Sequence, residues 1–350
     1  MDRRFRRRHR HRDHRAVLPQ GGGQLKALLI AGGFGTRLRP LTYTRPKHLL
    51  PIANRPHLHH VFDLLQRHGI NEVILLTSYL AETFEASVRH GRERGMRVEV
   101  THEETPLGTA GALKNAQDFI GSDTFFAFNG DVLTDMDLTA MLEFHRTRSA
   151  EATIVLTPVE DPSAYGVVPT DDTGRVQGFI EKPPRGEAPT NLINAGVYIM
   201  EPSILDRIPA GVEYSAERAL FPGLVAEGAA LFATGTDAYW MDIGTPEKYL
   251  QANLDALSGA FRTDAVAAPG PGAVVADGSV ARADGCTLSD VCVGAGAAID
   301  AGATVERSVL LPGVRVGRDA RIVDSILGEG CVVGAGITVQ GETLADEAQA

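Results

Sequence analysis

Between residues 28 and 47 the chain reads LLIAGGFGTRLRPLTYTRPK, an apolar run, then small residues, then cations at Arg37, Arg39, Arg45 and Lys47. Gly32, Gly33 and Gly35 let backbone N–H groups approach an anion closely. Thr36, Arg37 and Lys47 add hydrogen-bond donors and positive charge beside them. This is phosphate-binding chemistry. Two common phosphate loops do not fit, because the stretch has neither the G-x-G-x-x-G spacing of dinucleotide folds nor the G-x-x-x-x-G-K-[ST] of P-loop ATPases.

Such a loop has to be held at the end of a strand. Residues 26–30 supply one, and 72–78, 97–101, 124–128 and 152–158 read as further strands. Apolar residues at helical spacing fill about 57–68, 81–94, 109–119 and 137–148 between them. The alternation predicts an α/β fold, a Rossmann-like, mostly parallel sheet covered on both faces. Sheets of this kind bind ligands at the carboxyl ends of their strands, where AGGFGTR and NGD (129–131) both fall. His57, His59 and His60 lie in or beside the helix after the basic loop and read as surface or packing residues.

From about residue 265 the texture changes to glycine, small residues and isolated aliphatics. Val293, Ile299 and Val305 are six apart, as are Leu310, Val316 and Ile322, and again Leu327, Val333 and Val339. Each triplet follows the last by 17 residues. Three sides per coil with one inward aliphatic on each predict a short left-handed parallel β-helix of hexapeptide type. Gly294, Gly317 and Gly334, just after inward residues, read as corner glycines. The expected organisation is a disordered basic tail (1–24), a catalytic domain (25–258), the β-helix (265–340) and a terminal tail (341–350).

Composition narrows the function classes. A chain of 350 residues with 43% hydrophobic and 22% charged content fits one large soluble domain plus a smaller one. It contains no apolar run of membrane-spanning length and no secretory signal pattern. Cys286, Cys292 and Cys331 match no zinc spacing and are expected as reduced, buried thiols of a cytoplasmic protein. Residues 1–15 carry a net charge of +6, leaving −16 on the rest of a chain whose total is −10. An acidic body argues against nucleic acid as the partner.

The stretch AGGFGTRLRPLTYTRPKHLLPIANRP resembles the signature of the sugar-1-phosphate nucleotidyltransferases, whose core is G-x-G-T-R, then P, then P-K. The likeness covers about 25–340. It implies that Ala31, Gly32, Gly33, Gly35, Thr36 and Arg37 contact a nucleoside triphosphate, and that Gly108 and Thr109 of EETPLGTAGAL lie near base and ribose. FNGDVL supplies Gly130 and a metal-binding Asp131, and YWMDIGTPEKY supplies Asp242 as the second ligand for Mg2+. YGVV, EKP and NAGVY resemble the pocket for a sugar 1-phosphate, with Gly166, Glu181 on hydroxyls, Lys182 near the phosphate, and Asn194. Read singly, Asp131 and Asp242 are equally turn or helix-cap residues, and Glu181–Lys182 a solvated pair. Their joint order on one alternating sheet carries the likeness. The β-helix holds no histidine, so the acyl transfer of hexapeptide acyltransferases is not expected.

The chemistry implied is attack of a sugar phosphate on the α-phosphorus of the triphosphate, with pyrophosphate leaving. Both reactants are anions, so the reaction needs positioning and neutralisation rather than a general base. Arg37 is assigned to the β/γ-phosphates, and Lys47 and Lys182 to the phosphates of the reacting pair. With Asp131 and Asp242 these are the catalytic candidates. Within the family PLGTAGAL, INAGVYI, AYWMDIGTPEKYLQANLDAL and the appended β-helix look like the mannose-1-phosphate guanylyltransferase branch. Uridylyl or thymidylyl transfer to glucose 1-phosphate, and a non-catalytic scaffold homologue, are the alternatives. A homo-oligomer formed through the β-helix is expected, and no membrane partner.

Overall fold

A computed structural model of the chain describes residues 25–78 and 80–350. The basic tail expected over 1–24 lies outside the described residues.

In chain order the N-terminal part contains β1 (Lys26–Ile30), α1 (His57–Arg67), β2 (Glu72–Thr77), α2 (Glu85–Glu93), β3 (Arg97–His102), α3 (Gly108–Asn115), β4 (Phe125–Asn129), β5 (Val132–Thr134), α4 (Leu138–Thr147) and β6 (Ala152–Pro158). Then follow β7 (Gly166–Val167), β8 (Ile180–Glu181), β9 (Leu192–Met200), α5 (Phe221–Ala226), β10 (Leu231–Gly235), β11 (Trp240–Asp242) and α6 (Pro246–Ser258). All five strands expected from the apolar runs form.

Strands β3, β2, β1 and β4 are mutually parallel neighbours. Their near-continuous apolar sequence has a simple cause, since successive side chains feed different cores. Ala27 and Leu29 join a cluster with Leu58 and Phe62 of α1, whereas Leu28 joins another with Ala112 and Leu113 of α3. Each leucine so buried contributes about 2 kcal/mol. Beyond β4 the sheet continues antiparallel with β9, which pairs on its other side with β6 and carries a register break between Asn194 and Tyr198.

After α6 the chain winds into a parallel β-helix. Val293 pairs with Leu310 and Leu310 with Leu327, Ile299 with Val316 and Val316 with Val333, Val305 with Ile322 and Ile322 with Val339. All nine are buried. A second apolar cluster joins the coils to the rest of the molecule, bringing Cys292, Val309, Leu311 and Ile326 against Leu38, Leu41, Leu50 and Tyr249.

Three expectations need revision. Residues 341–350 are not a loose tail, for Thr343–Leu344 pairs with Ile326–Leu327 and extends the stacking. Gly294 and Gly317 are not needed for left-handed backbone. They are needed for room, because a Cβ would fall 2.6 Å from the Pro312 nitrogen or 2.7 Å from that of Ala335. Of the three free thiols Cys292 and Cys331 are buried, but Cys286 is only half-buried. His57 and His60, expected as surface or packing residues, are packing residues, their Nε2 atoms meeting the Val132 and Ile52 carbonyl oxygens at 3.2 and 3.0 Å.

Candidate active site

The parallel register brings the ends of β1, β2 and β4 to one level, with Ile30 opposite Leu76 and Asn129. Ala31 N–H donates to the Leu76 carbonyl (2.8 Å), and Gly130 N–H to that of Ile30 (3.0 Å). A side chain at Gly130 would lie 2.5 Å from the Ile30 oxygen and 2.8 Å from the His48 ring, so glycine is obligatory there. At Gly35 a left-handed turn (φ 61°) leads into the short helical turn Thr36–Leu38, and Thr42 Oγ1 donates to the Gly35 carbonyl. Buried Leu38 and Leu41 pin this loop from below and leave Thr36 and Arg37 exposed above it.

Lys47 begins the next helical turn and points back under the glycines, its Nζ 3.8 Å from where a Gly33 Cβ would stand. The same Nζ binds Asp131 Oδ2 at 2.5 Å. Asp242 ends β11, which pairs antiparallel with β5, and Ile243 N–H donates to the Asp131 carbonyl (3.0 Å). Asp242 is paired with Val132, so it stands beside Asp131, which lies in the turn just before that strand. Lys248 of α6 pairs with Asp242 and donates to the Tyr165 hydroxyl at 2.7 Å. The Arg37 guanidinium lies against Gly244, 2.7 Å from where a Cβ would project.

Neither aspartate is the helix cap it might be from sequence. Thr245 caps α6, its Oγ1 accepting from Lys248 N–H, and no helix starts at Asp131. Electrostatics separate the pair. Burial would raise the Asp131 carboxyl, but the charge and hydrogen bond of Lys47 outweigh it and hold the group far below the usual carboxylate range. Burial raises Asp242, and Lys248 offsets this only in part. His48 is buried beside them and pushed well below its ordinary value by burial and then by Lys47, so its ring is neutral. Neither of its ring nitrogens has a partner, nor has Asn129 Oδ1.

The remaining candidates flank this centre. Gly108 (φ 70°) opens α3, and Thr109 Oγ1 donates to Glu217 Oε2 at 2.7 Å. Asn194 Nδ2 donates to the Tyr198 hydroxyl (2.8 Å). Gly166 pairs with Glu181 across β7 and β8, and a Cβ at 166 would meet the Phe179 ring at 2.6 Å. Glu181 and Lys182 form an ion pair of 3.6 Å with Lys182 more than half exposed. They connect to the centre through Tyr165, whose carbonyl accepts from Lys182 N–H (2.9 Å). The structure thus unites Arg37, Lys47, Asp131 and Asp242, and leaves Lys182 at the rim. Sequence reasoning missed Lys248, Tyr165 and Glu217. Of these Lys248 and Tyr165 fall within the stretches YWMDIGTPEKY and YGVV, whereas Glu217 had no local signal.

The cations under the glycine loop can neutralise condensed phosphates, and the two carboxylates beside them, one at a strand end and one in the facing turn, can share a divalent ion with those phosphates. The comparisons agree with that chemistry. Residues 26–259 match the Nucleotidyl transferase family and residues 271–349 the GMPPB C-terminal domain. The chain is 41% identical to a mannose-1-phosphate guanylyltransferase of Mycobacterium tuberculosis, over 84% of this chain and 81% of that one. It is 36% identical to a UTP–glucose-1-phosphate uridylyltransferase of Synechocystis, over 91% and 92%. Among solved structures, HddC from Yersinia pseudotuberculosis complexed with GMP-PN superposes with a TM-score of 0.57 at 31% identity, over 65% of this chain and 97% of that one.

Proposed function

The chain belongs to the nucleotidyl transferase family, and from that premise we propose that it transfers the guanylyl group of GTP to mannose 1-phosphate, yielding GDP-mannose and pyrophosphate. An oxygen of the sugar phosphate attacks the α-phosphorus, and the bond to the bridging oxygen of pyrophosphate breaks. The attacking oxygen is already ionised, so no side chain has to remove a proton. The observation that carries the reading is the Lys47–Asp131 pair beneath the glycine loop.

Arg37, exposed and lying against Gly244, binds the β- and γ-phosphates and steadies the leaving group. Lys47 neutralises the α-phosphate. Glu181 accepts hydrogen bonds from sugar hydroxyls, while Lys182, more than half exposed, meets the sugar phosphate. Ala31, Gly32, Gly33, Gly35 and Thr36 line the triphosphate, and Gly108 and Thr109 the nucleoside.

The donor set suits magnesium. It offers two carboxylates, one of them held ionised, and no cluster of three or more acidic, histidine or cysteine ligands exists among the described residues. Mg2+ takes this kind of site, drawing its other ligands from phosphates and water. Asp131 and Asp242 would hold it, and it would add neutralising charge at the α-phosphate.

Pyrophosphate release, measured with mannose or glucose 1-phosphate against GTP, UTP and dTTP, tests the proposal. The highest kcat/KM should belong to GTP with mannose 1-phosphate. The Synechocystis relative favours a second reading, UTP with glucose 1-phosphate, and a maximum there would replace the first. No described helix is long and apolar enough to cross a membrane, and three free thiols support a reducing, cytoplasmic setting. Exposed Val332 and Ile337 on the last coils support self-association through the β-helix.

A further inference from the structure

Three backbone irregularities converge on one carboxylate. The first is the entry to α3, where Gly108 turns left-handed and Thr109 follows. The second is the register break in β9 between Asn194 and Tyr198, with Gly196 at φ 70°. The third is a π-helical turn, Ala216–Leu220, which carries Glu217. Bulges and π-turns cost regular hydrogen bonds and concentrate where a side chain must be re-aimed.

Glu217 is what they aim at. Its Oε2 accepts from Thr109 Oγ1 (2.7 Å) and Ser215 Oγ (2.8 Å), and its Oε1 from the Tyr198 hydroxyl (3.4 Å). Thr109 Oγ1 is fixed in turn by Ala216 N–H at 2.7 Å. Tyr198 is buried, and burial followed by the Glu217 charge pushes its phenol well above the ordinary value, so the hydroxyl keeps its proton and donates. The same oxygen accepts from Asn194 Nδ2 at 2.8 Å, and Asn194 Oδ1 accepts from Gly196 N–H at 3.0 Å. The path Thr109–Glu217–Tyr198–Asn194 is continuous. It begins on the loop assigned to the nucleoside and ends on the strand assigned to the sugar.

We propose that Glu217 is a positioning residue that couples the two substrate pockets. Ordering of Thr109 by the nucleotide fixes the carboxylate, which fixes Tyr198 and sets the Asn194 amide for the sugar. This rests on the guanylyltransferase reading. A shared node gives binding cooperativity that is reciprocal by thermodynamic necessity. Glu217 touches neither reacting atom, so its loss acts on the coupling more than on either affinity alone.

The test is calorimetric titration of mannose 1-phosphate into the full chain with Mg2+, with and without a non-hydrolysable GTP analogue. In the wild type the analogue should tighten sugar-phosphate binding about fivefold or more. Glu217→Gln should bring that ratio below about twofold while each separate affinity stays within about threefold, and Tyr198→Phe should lower it in the same direction. A wild-type ratio of one, or an unchanged ratio in Glu217→Gln and Tyr198→Phe, overturns the coupling. If the wild type binds neither ligand but does bind UTP and glucose 1-phosphate, the substrate reading fails instead, and the coupling is then judged by the same ratio on that pair.

Discussion

Lys47 Nζ and Asp131 Oδ2, 84 residues apart in the chain, meet at 2.5 Å beneath the glycine loop. The pair joins the loop after β1 to the loop after β4, the two strands that neighbour each other at the centre of the sheet. The cation proposed for phosphate and the carboxylate proposed for a metal thus hold each other in place.

Asp131→Asn should cut turnover by about a hundredfold or more, because a neutral amide removes charge where the reaction concentrates it. The fold should survive, since Lys47 can donate to the amide oxygen. Steady-state rates with circular dichroism decide, and near-wild-type magnesium-dependent turnover would mean the ligand is another residue.

Arg45 lies two residues before Lys47 and is gripped by the far end of the molecule. Its Nη2 is 2.8 Å from both Glu329 and Asp346 on the coils, and Thr44 Oγ1 donates to Asp346 at 2.6 Å. Arg45→Asp or Asp346→Arg alone should destabilise the protein by about 1–3 kcal/mol, as lost hydrogen bonds between charged groups do. The double variant should recover most of the loss in thermal unfolding. Additive losses in the double variant would count against a direct pairing.

Gly317→Ala should destabilise more than Gly336→Ala. At Gly317 a methyl would meet backbone atoms 2.7–2.8 Å away, and overpacking of that kind costs about 1–3 kcal/mol. At Gly336 it meets nothing within 4 Å, leaving only the left-handed backbone (φ 72°), about 1 kcal/mol. Denaturant midpoints measured side by side rank the two, and the reverse order would refute the close-contact explanation.

Acid sensitivity should have a named origin. Burial lowers His57 and His60 from the ordinary value to about 4. The unfolded chain therefore binds protons that the folded one refuses, so the contribution is complete above about pH 6.5 and is lost as pH falls towards 4. The melting temperature should drop through that window, and a His57→Gln/His60→Gln variant should show a shallower slope. An equal slope in both would assign the acid sensitivity elsewhere.

The parts legible in the sequence were those set by local pattern. Ala27, Leu28 and Leu29 announce a strand buried on both faces, and the aliphatic spacing from Val293 to Val339 announces the coils. The glycine loop and Asp131 were also readable, because they fall at expected strand ends, whereas Asp242 was readable only through the family resemblance of YWMDIGTPEKY. Partnerships across long chain separations were not. Nothing near Arg45 foretells carboxylates 284 and 301 residues away, and Glu217 sits on a π-turn that has no periodicity to detect. Gly294 looked like a corner because sequence cannot distinguish a glycine kept for its dihedral angles from one kept for its missing methyl.

The repeat of 17 residues that aligns Val293, Leu310 and Leu327 makes the C-terminal rod a ruler with a fixed graduation. One whole coil added or deleted changes its length by a single interstrand spacing, about 4.8 Å, and returns every inward residue to its station. Any other increment rotates the apolar row out of the interior. Growth of this domain is therefore quantised, and the grip of Glu329 and Asp346 on Arg45 fixes which graduation must lie beside the glycine loop. A coil inserted before that mark would carry the two carboxylates past their arginine, whereas one appended after Ala350 would lengthen the rod and leave the joint untouched.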